Sequence, residues 1–519
     1  MGGAIGLLSA AVAVASGELV AAVVGRGAAP VIAVGGAAID AAPTWLKSWA
    51  IATFGDADKT VLVAGIGAVL IVVAWTLGVM SLRRPWVGVV GVAGLGVVGA
   101  VAAAARPAAP DLAIMPSALG ALAGLAAYRW LRVAAALDGG ATTASDGPRG
   151  GATHGSPASS PRIGGYDRRR FLLTGLATAG VAVTGAGAGR LLSSRASAEA
   201  SRASASVPVP RGSAVPIPAG ADLGVPGLSP FITPNDRFYR VDTALFVPAV
   251  DAETWRLRVH GMVERELDLT YAGLVSRPSV ERDITLACVS NEVGGSYVGN
   301  ARWIGVPLAD VLAEAGVLDG ATQLVSTSAD GWTCGTPVAA VTDGRDALLA
   351  VSMNGEPLPL DHGFPVRMVV PGLYGYVSAT KWLVDLELTT FEAFDAYWIR
   401  RGWAEQAPIK TQSRIDTPRA SDRLAAGDIT VAGVAWAQHR GIEAVEVQVD
   451  GGPWLAAELA TEDTVDTWRQ WRYRWPATPG LHSIAVRATD GDGVVQTADP
   501  VPPFPDGATG HHTIVVDVG

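Results

Sequence analysis

The stretch Thr60–Leu82 is apolar from end to end and stops on Arg83-Arg84-Pro85. A segment of that length in a bilayer must satisfy its backbone within itself, so it folds as a helix. Val87–Ala105, closed by Arg106, repeats the pattern, as does Ile114–Leu131 with Arg129 and Arg132 at its end. Residues 4–25 are a weaker Ala/Gly/Val stretch containing Glu18, and 30–53 is interrupted by Asp40 and Lys47. Gly and Ala recur, which suits helices that pack closely in lipid. Mean hydropathy is +0.31 and only 17% of the 519 residues are charged, too apolar for an ordinary soluble protein. Residues 1–134 therefore read as an α-helical transmembrane region.

Basic residues set the orientation. Arg83 and Arg84 hold one loop in the cytoplasm, and Arg129, Arg132 and Arg168-Arg169-Arg170 hold the next basic region there. Residues 135–166, rich in Gly, Ser, Ala, Thr and Pro, read as a flexible linker. Then Asp167-Arg168-Arg169-Arg170-Phe171-Leu172-Leu173 and an apolar run to Ala188 resemble an internal twin-arginine export signal over 167–190. The other reading is the basic flank of a last membrane helix, and both put the chain beyond Arg190 outside the cytoplasm. Residues 191–228 read as an extended tether. The first histidine is His154, so the membrane part offers no imidazole to a haem, and no haem is expected in this chain. The net charge of −9 gives no basis for nucleic-acid binding.

The soluble part turns on Ile284-Thr-Leu-Ala-Cys288-Val-Ser-Asn291-Glu-Val-Gly294-Gly295-Ser-Tyr-Val-Gly-Asn300-Ala-Arg-Trp303. An apolar run delivers a cysteine into a loop of Gly, Ser and Asn, a setting that suits a metal thiolate. A small buried hydrophobe is the plainer reading of such a cysteine. Cys334 is the chain's other cysteine. A Cys288–Cys334 bridge is the bland alternative, and it would consume the proposed ligand.

These residues resemble the molybdenum loop of the sulfite oxidase family. Asp361-His362-Gly-Phe-Pro-Val-Arg367-Met-Val-Val-Pro371-Gly, followed by Lys381-Trp382, resembles a second block of that family. The resemblance covers about residues 220–519. It implies molybdenum–molybdopterin as cofactor, with Cys288 as metal ligand and catalytic centre. It also implies pterin or phosphate contacts from Asn235, Tyr239, Arg240, Asn291, His362, Arg367, Ser378, Thr380 and Lys381. Arginine and lysine suit phosphate, and Gly-rich backbone with hydroxyls completes such a cradle. Cys334 has no family role to inherit and reads as inert packing.

Between 229 and 409, short alternating runs at Trp255–Gly261, Leu267–Leu269, Val325–Ser328, Leu348–Met353 and Val366–Val370 predict strands, and Pro307–Ala315 has helical spacing. The mixture indicates an α+β molybdopterin domain. Residues 410–519 alternate with period two, as in Val445, Val447 and Val449, and turns such as Asp450-Gly451-Gly452 intervene. This predicts an all-β sandwich, which resembles the family's immunoglobulin-like dimerisation domain. His511 and His512, adjacent on a strand, point to opposite faces and are no chelating pair.

The family's sulfite-binding arginines are missing. Pro234 and Val293 stand at two such positions, and Gly375-Tyr376-Val377-Ser378 replaces an arginine-bearing turn. Trp403 stands for an active-site tyrosine, and Tyr374-Gly375-Tyr376 is similar to a methionine-sulfoxide reductase branch. The expectation is a multi-pass membrane-anchored oxidoreductase that transfers an oxygen atom outside the cytoplasm. Its partners would be a small oxo-substrate, a separate electron carrier (a protein or a quinone), the membrane, and a second copy joined through the C-terminal domain. The alternatives are a sulfoxide reductase and a non-enzymatic tethered scaffold.

Overall fold

The computed structural model describes residues 2–43, 46, 49, 53–54, 58–106, 111–139, 195–211 and 216–519. The twin-arginine segment expected at 167–190, and the expected linker beyond residue 139, lie outside the described residues. The chain divides into two compact units, Met1–Arg195 with Ala244–Phe246, and the remainder.

The first unit is helical: α1 (Gly2–Val24), α2 (Pro30–Ala41), α3 (Asp58–Ser81), α4 (Pro85–Ala104) and α5 (Met115–Gly139). Pro30 and Pro85 open α2 and α4, where the missing N–H costs nothing. Among the described residues, three helices are long and apolar enough to cross a membrane: Gly2–Ala21, Lys59–Ser81 and Pro85–Ala104. The 4–25 stretch is thus one continuous helix despite Glu18, whereas 30–53 yields only the short Pro30–Ala41. The expected Ile114–Leu131 span lies in α5, whose later turns carry Arg129, Arg132 and Asp138, and α5 is not among those three. Small residues let helices touch as expected: a Cβ on Gly6 of α1 would run into the Ala74 carbonyl and Gly78 of α3. Ile5 and Leu8 of α1 pack on Tyr128 and Leu131 of α5.

The second unit begins earlier than the sequence suggests. Residues 195–204 are helical, and Ala198 and Ala221 are buried in its core. Arg202 also donates through Nε to the carbonyls of Pro357 (3.1 Å) and Leu358 (3.0 Å). This part of the expected tether is therefore packed structure. Its Ser/Ala composition reads as a spacer, but alanine is also the strongest helix former.

In chain order come β1 (Arg256–Gly261), β2 (Leu267–Thr270), α6 (Tyr271–Val275), β3 (Val280–Ala287), β4 (Val298–Pro307), α7 (Leu308–Ala315), β5 (Gln323–Ser328), β6 (Thr333–Pro337), α8 (Val338–Thr342), β7 (Leu348–Met353), β8 (Glu356–Pro357), β9 (Arg367–Val369) and β10 (Leu383–Thr389). They form two sheets, β2-β1-β10-β5-β6 and β3-β4-β7-β8, with β9 joining β7. The predicted strands and helix match these elements to within a few residues. In β1, Leu257 and Val259 point inward while Arg256 and Arg258 face water, the alternation of a half-covered strand. Strand β4 is buried along nearly all its length, with Trp303 fully enclosed. Helix α7 stops at Gly316, whose φ of +69° makes the left-handed cap.

The C-terminal strands are β11 (Gln412–Thr417), β12 (Arg423–Leu424), β13 (Gly427–Trp436), β14 (Ile442–Val449), β15 (Leu455–Ala456), β16 (Glu458–Leu459), β17 (Arg469–Ala477), β18 (Gly480–Asp490) and β19 (His512–Val518). They form two sheets, β11-β13-β17-β16 and β12-β19-β18-β14-β15. Val431, Trp471 and Trp475 of the first share one core with Val447, Val486 and Val516 of the second. The C-terminal part also covers an open edge of the other sheets. The Thr285 amide of β3 donates to the Asp466 carbonyl (2.9 Å), and Gln438 Nε2 donates to the Thr285 carbonyl (2.9 Å). An edge strand left bare would expose these groups.

Candidate active site

Strand β3 ends at Ala287, and the next residue, Cys288, is partly exposed at the start of a loop that returns as β4. The loop is braced from within. The Cys288 amide donates to the Tyr297 carbonyl (2.9 Å), and the Tyr297 amide donates to Asn291 Oδ1 (2.8 Å). Asn291 therefore shapes the cysteine loop through its side chain. Burial pushes the Cys288 thiol up, while hydrogen bonds from Ser290 and the charge of Lys381 pull the other way. A thiol so placed gives up its proton when a cation takes the sulfur. Both cysteines are free, so the Cys288–Cys334 bridge is not formed.

Beside the cysteine lies the turn Tyr374-Gly375-Tyr376. A Cβ on Gly375 would stand 3.7 Å from the Ala287 carbonyl. Ser378, fully buried, donates its hydroxyl to the carbonyls of Leu373 (2.9 Å) and Tyr374 (3.0 Å). Thr380, equally buried, bonds Ser326 of β5 at 2.6 Å. Both hydroxyls thus make bonds within the protein and brace the segment beside the site. Cys334 lies in the same buried layer, with Thr336 at 3.8 Å. Thr336 in turn donates to the Val377 carbonyl at 2.7 Å.

The cationic side of the site gathers three expected residues. Lys381 Nζ pairs with Asp242 Oδ2 at 2.6 Å. Arg240 pairs with Asp242 at 2.8 Å and with Asp361 at 2.9 Å. Arg367 is only 5% exposed, lies over the Trp303 ring at 5.0 Å, and donates to the His362 carbonyl at 3.2 Å. Burial pulls Lys381 down to about 8 and Arg367 down to about 10. Among the described contacts, three cations (Lys381, Arg240 and Arg367) gather with two carboxylates (Asp242 and Asp361). Among the described residues, the buried Arg367 Nε has no hydrogen-bond partner. An orphaned buried donor on a cation is costly unless an acceptor arrives. A soft thiol beside an anion-seeking cradle fits a phosphate-bearing cofactor that coordinates a metal.

The polar floor comes from a second group. His362 Nε2 lies 3.0 Å from the Asn235 carbonyl, so the ring donates there and leaves Nδ1 as acceptor. Burial, with Arg367 adding to it, pulls His362 down to about 4, so the imidazole is neutral at ordinary pH. Asn235 Oδ1 accepts from Asn354 Nδ2 at 2.8 Å. Burial raises the Tyr239 phenol above its usual range, and the neighbouring Cys288 charge adds to this. Asn235, Tyr239, Arg240, His362, Arg367 and Lys381 are therefore brought together, while Ser378, Thr380 and Asn291 support the loops around them.

Sequence reasoning missed Asp242 and Asn354, and gave Trp382 no role although it stood in the second family block. Asp242 binds two cations at once. Asn354 has φ +53°, accepts the Arg302 amide at 2.9 Å and steers Asn235. Trp382 has φ +50° and donates to the Leu360 carbonyl at 2.8 Å. Strain of this kind gathers at functional sites. The one local signal was Asn354-Gly355 between two short strands, the dipeptide of a tight turn.

Residues 244–398 match the family described as oxidoreductase molybdopterin binding domain. Mitochondrial sulfite oxidase of Homo sapiens is 33% identical over 328 residues, which is 53% of this chain and 58% of the human one. Sulfite oxidase of Gallus gallus is 32% identical over 317 residues, 51% of this chain and 68% of its own. The solved sulfane dehydrogenase SoxCD of Paracoccus pantotrophus aligns at 23% identity and TM-score 0.48, over 60% of this chain and 90% of that one. The chain thus spans less than two thirds of the human relative's length, but more than two thirds of the chicken one's. The matches set aside the reading of a non-enzymatic scaffold, and the chain belongs to the sulfite oxidase family of molybdopterin-dependent oxidoreductases.

Proposed function

We propose that this chain is a membrane-anchored enzyme that exchanges an oxygen atom with a small molecule outside the cytoplasm, and that an organic sulfoxide or N-oxide suits its site better than sulfite does. Cys288 holds the molybdenum. Arg367, Lys381 and Arg240 supply positive charge to the cofactor phosphate. Asn235, His362 and Tyr239 present fixed polar groups to the pterin, while Asn291, Ser378 and Thr380 hold the surrounding loops. When bound, the molybdenum centre supplies the two-electron chemistry of oxygen-atom exchange. The C-terminal sandwich is immunoglobulin-like and joins two copies, and a separate protein or quinone carries electrons. The apolar helices of the first unit are the anchor, and a twin-arginine signal at 167–190 directs export.

One observation carries the substrate reading. Pro234, Val293 and Val377 are uncharged where family arginines would hold a dianion. Nearby arginines have other partners: Arg302 grips Asp283 at 2.6 and 2.9 Å, and Arg240 pairs with Asp242 and Asp361 on the side proposed for the cofactor phosphate. Lost charge-assisted hydrogen bonds cost about 1.5–3 kcal/mol each. Two such losses weaken sulfite capture by roughly two to four powers of ten if they add. The test is a steady-state comparison on the molybdenum-loaded chain, with ferricyanide-linked sulfite oxidation against sulfoxide reduction by methyl viologen. The expectation is slow sulfite oxidation with a high KM and faster sulfoxide turnover. Efficient sulfite oxidation at micromolar KM would overturn the charge argument and point to exposed Arg237.

A further inference from the structure

Two side chains of the C-terminal sheets reach the loop that carries Cys288. Arg414, on β11, has its guanidinium divided three ways. Nε donates to Asp416 at 2.6 Å, Nη1 to the Gly295 carbonyl at 2.9 Å, and Nη2 to Ser229 Oγ at 3.0 Å. Arg414 and Asp416 side chains are only 10% and 8% exposed. Asp416 closes the set by accepting the Ser229 amide at 3.0 Å. A planar fork with all three nitrogens engaged has little freedom to shift.

The second side chain is His512, the first residue of β19. Its Nδ1 accepts the Ile415 amide at 2.9 Å, which fixes the ring and leaves the proton on Nε2. The ring fills the space beside Gly294, where any Cβ would overlap it. Gly294 has φ +79°, so this position also favours glycine on backbone grounds. The adjacent histidine is turned elsewhere: His511 Nε2 meets the Gln496 carbonyl at 3.0 Å, and its ring packs on Trp454.

The cysteine loop is anchored at its base by the β3–β4 ladder and the Cys288–Tyr297 bond, while Gly294 and Gly295 stand at its far side, against side chains of the C-terminal sheets. Arg414 and His512 hold that far side. We infer that Arg414 and His512 are positioning residues for the molybdenum site: the C-terminal β domain clamps Gly294 and Gly295, and through them fixes where the Cys288 sulfur stands. The domain is then part of the metal centre as well as a structural appendage. This rests on Cys288 being the metal ligand.

The test uses the full-length, molybdenum-loaded chain with Arg414→Lys, His512→Asn and the double variant. His512→Asn keeps an acceptor for Ile415 while removing the ring beside Gly294. His511→Asn is the control. The readouts are molybdenum retained per protein during prolonged dialysis and the Mo(V) electron paramagnetic resonance signal. Groups that orient a metal ligand typically change metal affinity by about 10–100-fold, so the double variant should lose molybdenum about tenfold faster. It should also broaden or shift the Mo(V) signal, with Arg414→Lys moving it in the same direction, while His511→Asn leaves both readouts unchanged. If the double variant does not fold, Arg414→Lys alone decides. A folded variant with wild-type retention and an unchanged signal overturns the inference, provided Cys288→Ser abolishes that signal. An unchanged signal in Cys288→Ser would overturn the ligand assignment itself.

Discussion

The two cysteines differ in what surrounds their sulfur, and that difference agrees with the separate roles proposed for them. Cys288 is partly exposed, next to the Tyr374–Tyr376 turn and within reach of the Lys381 charge. Cys334 is fully buried between hydroxyls that offer only weak bonds to sulfur. Oxygen replaces thiolate poorly on a soft, reactive centre. Cys288→Ser is therefore expected to abolish activity in a folded protein. Cys334→Ser should keep both metal and activity, because Thr336, Ser326 and Thr380 can accommodate a hydroxyl there. Metal analysis and turnover of the two purified variants check this together. Loss of metal in the Cys334 variant would mean that the layer beneath the cofactor loop does more than pack.

Short elements decide how well the cradle is held. The turn between β7 and β8 carries Asn354, whose side chain links the Arg302 amide, the Thr233 carbonyl (2.9 Å) and Asn235. Asn354→Ala removes these bonds and keeps an unfavourable positive φ. It should cost about 1–3 kcal/mol of stability and weaken cofactor retention. Asn354→Gly relieves the backbone but not the bonds, so it should recover part of the stability and little of the retention. Thermal unfolding and cofactor release, measured on both variants, separate the two effects. This turn also marks where sequence reading stops. Strands such as β1 and β14 are legible because burial alternates with period two. The cysteine loop and the His362–Arg367 block are legible because the residue types sit close together in the chain. Asp242 and Asn354 were not: Arg240 lies only two residues from Asp242, but the contacts that tie the two residues into the site are distant, with Lys381 139 residues from Asp242 and Asn235 119 from Asn354. Local pattern carries no trace of such pairs. The same holds for Arg414 and Gly295, 119 residues apart. The helix at 195–204 was missed for a different reason, since Ser/Ala composition serves a spacer and a short packed helix equally well.

At the scale of the whole molecule, an apolar helical unit and a second, mainly β unit share one chain, and the proposed topology rests on where the basic residues fall. Helices α3 and α4 are joined by Arg83 and Arg84, and α5 ends in turns carrying Arg129 and Arg132. Lys and Arg near the ends of membrane segments stay on the cytoplasmic side. The cluster Arg168–Arg170 stands after these, ahead of one more apolar run to Ala188 and of the catalytic unit. A cofactor inserted in the cytoplasm requires a route that moves folded protein, and an arginine pair followed by Phe171 and Leu172 is the kind of signal such a route reads. A reporter fused near residue 150 should remain cytoplasmic, and one fused after residue 200 should be exported. Replacing Arg168 and Arg169 by lysine separates two explanations of that export. A twin-arginine route depends on the guanidinium groups and should fail. A simple positive flank depends only on charge and should survive the change. Cytoplasmic activity of the reporter after residue 200 would reverse the topology and place the Cys288 site on the other side of the membrane.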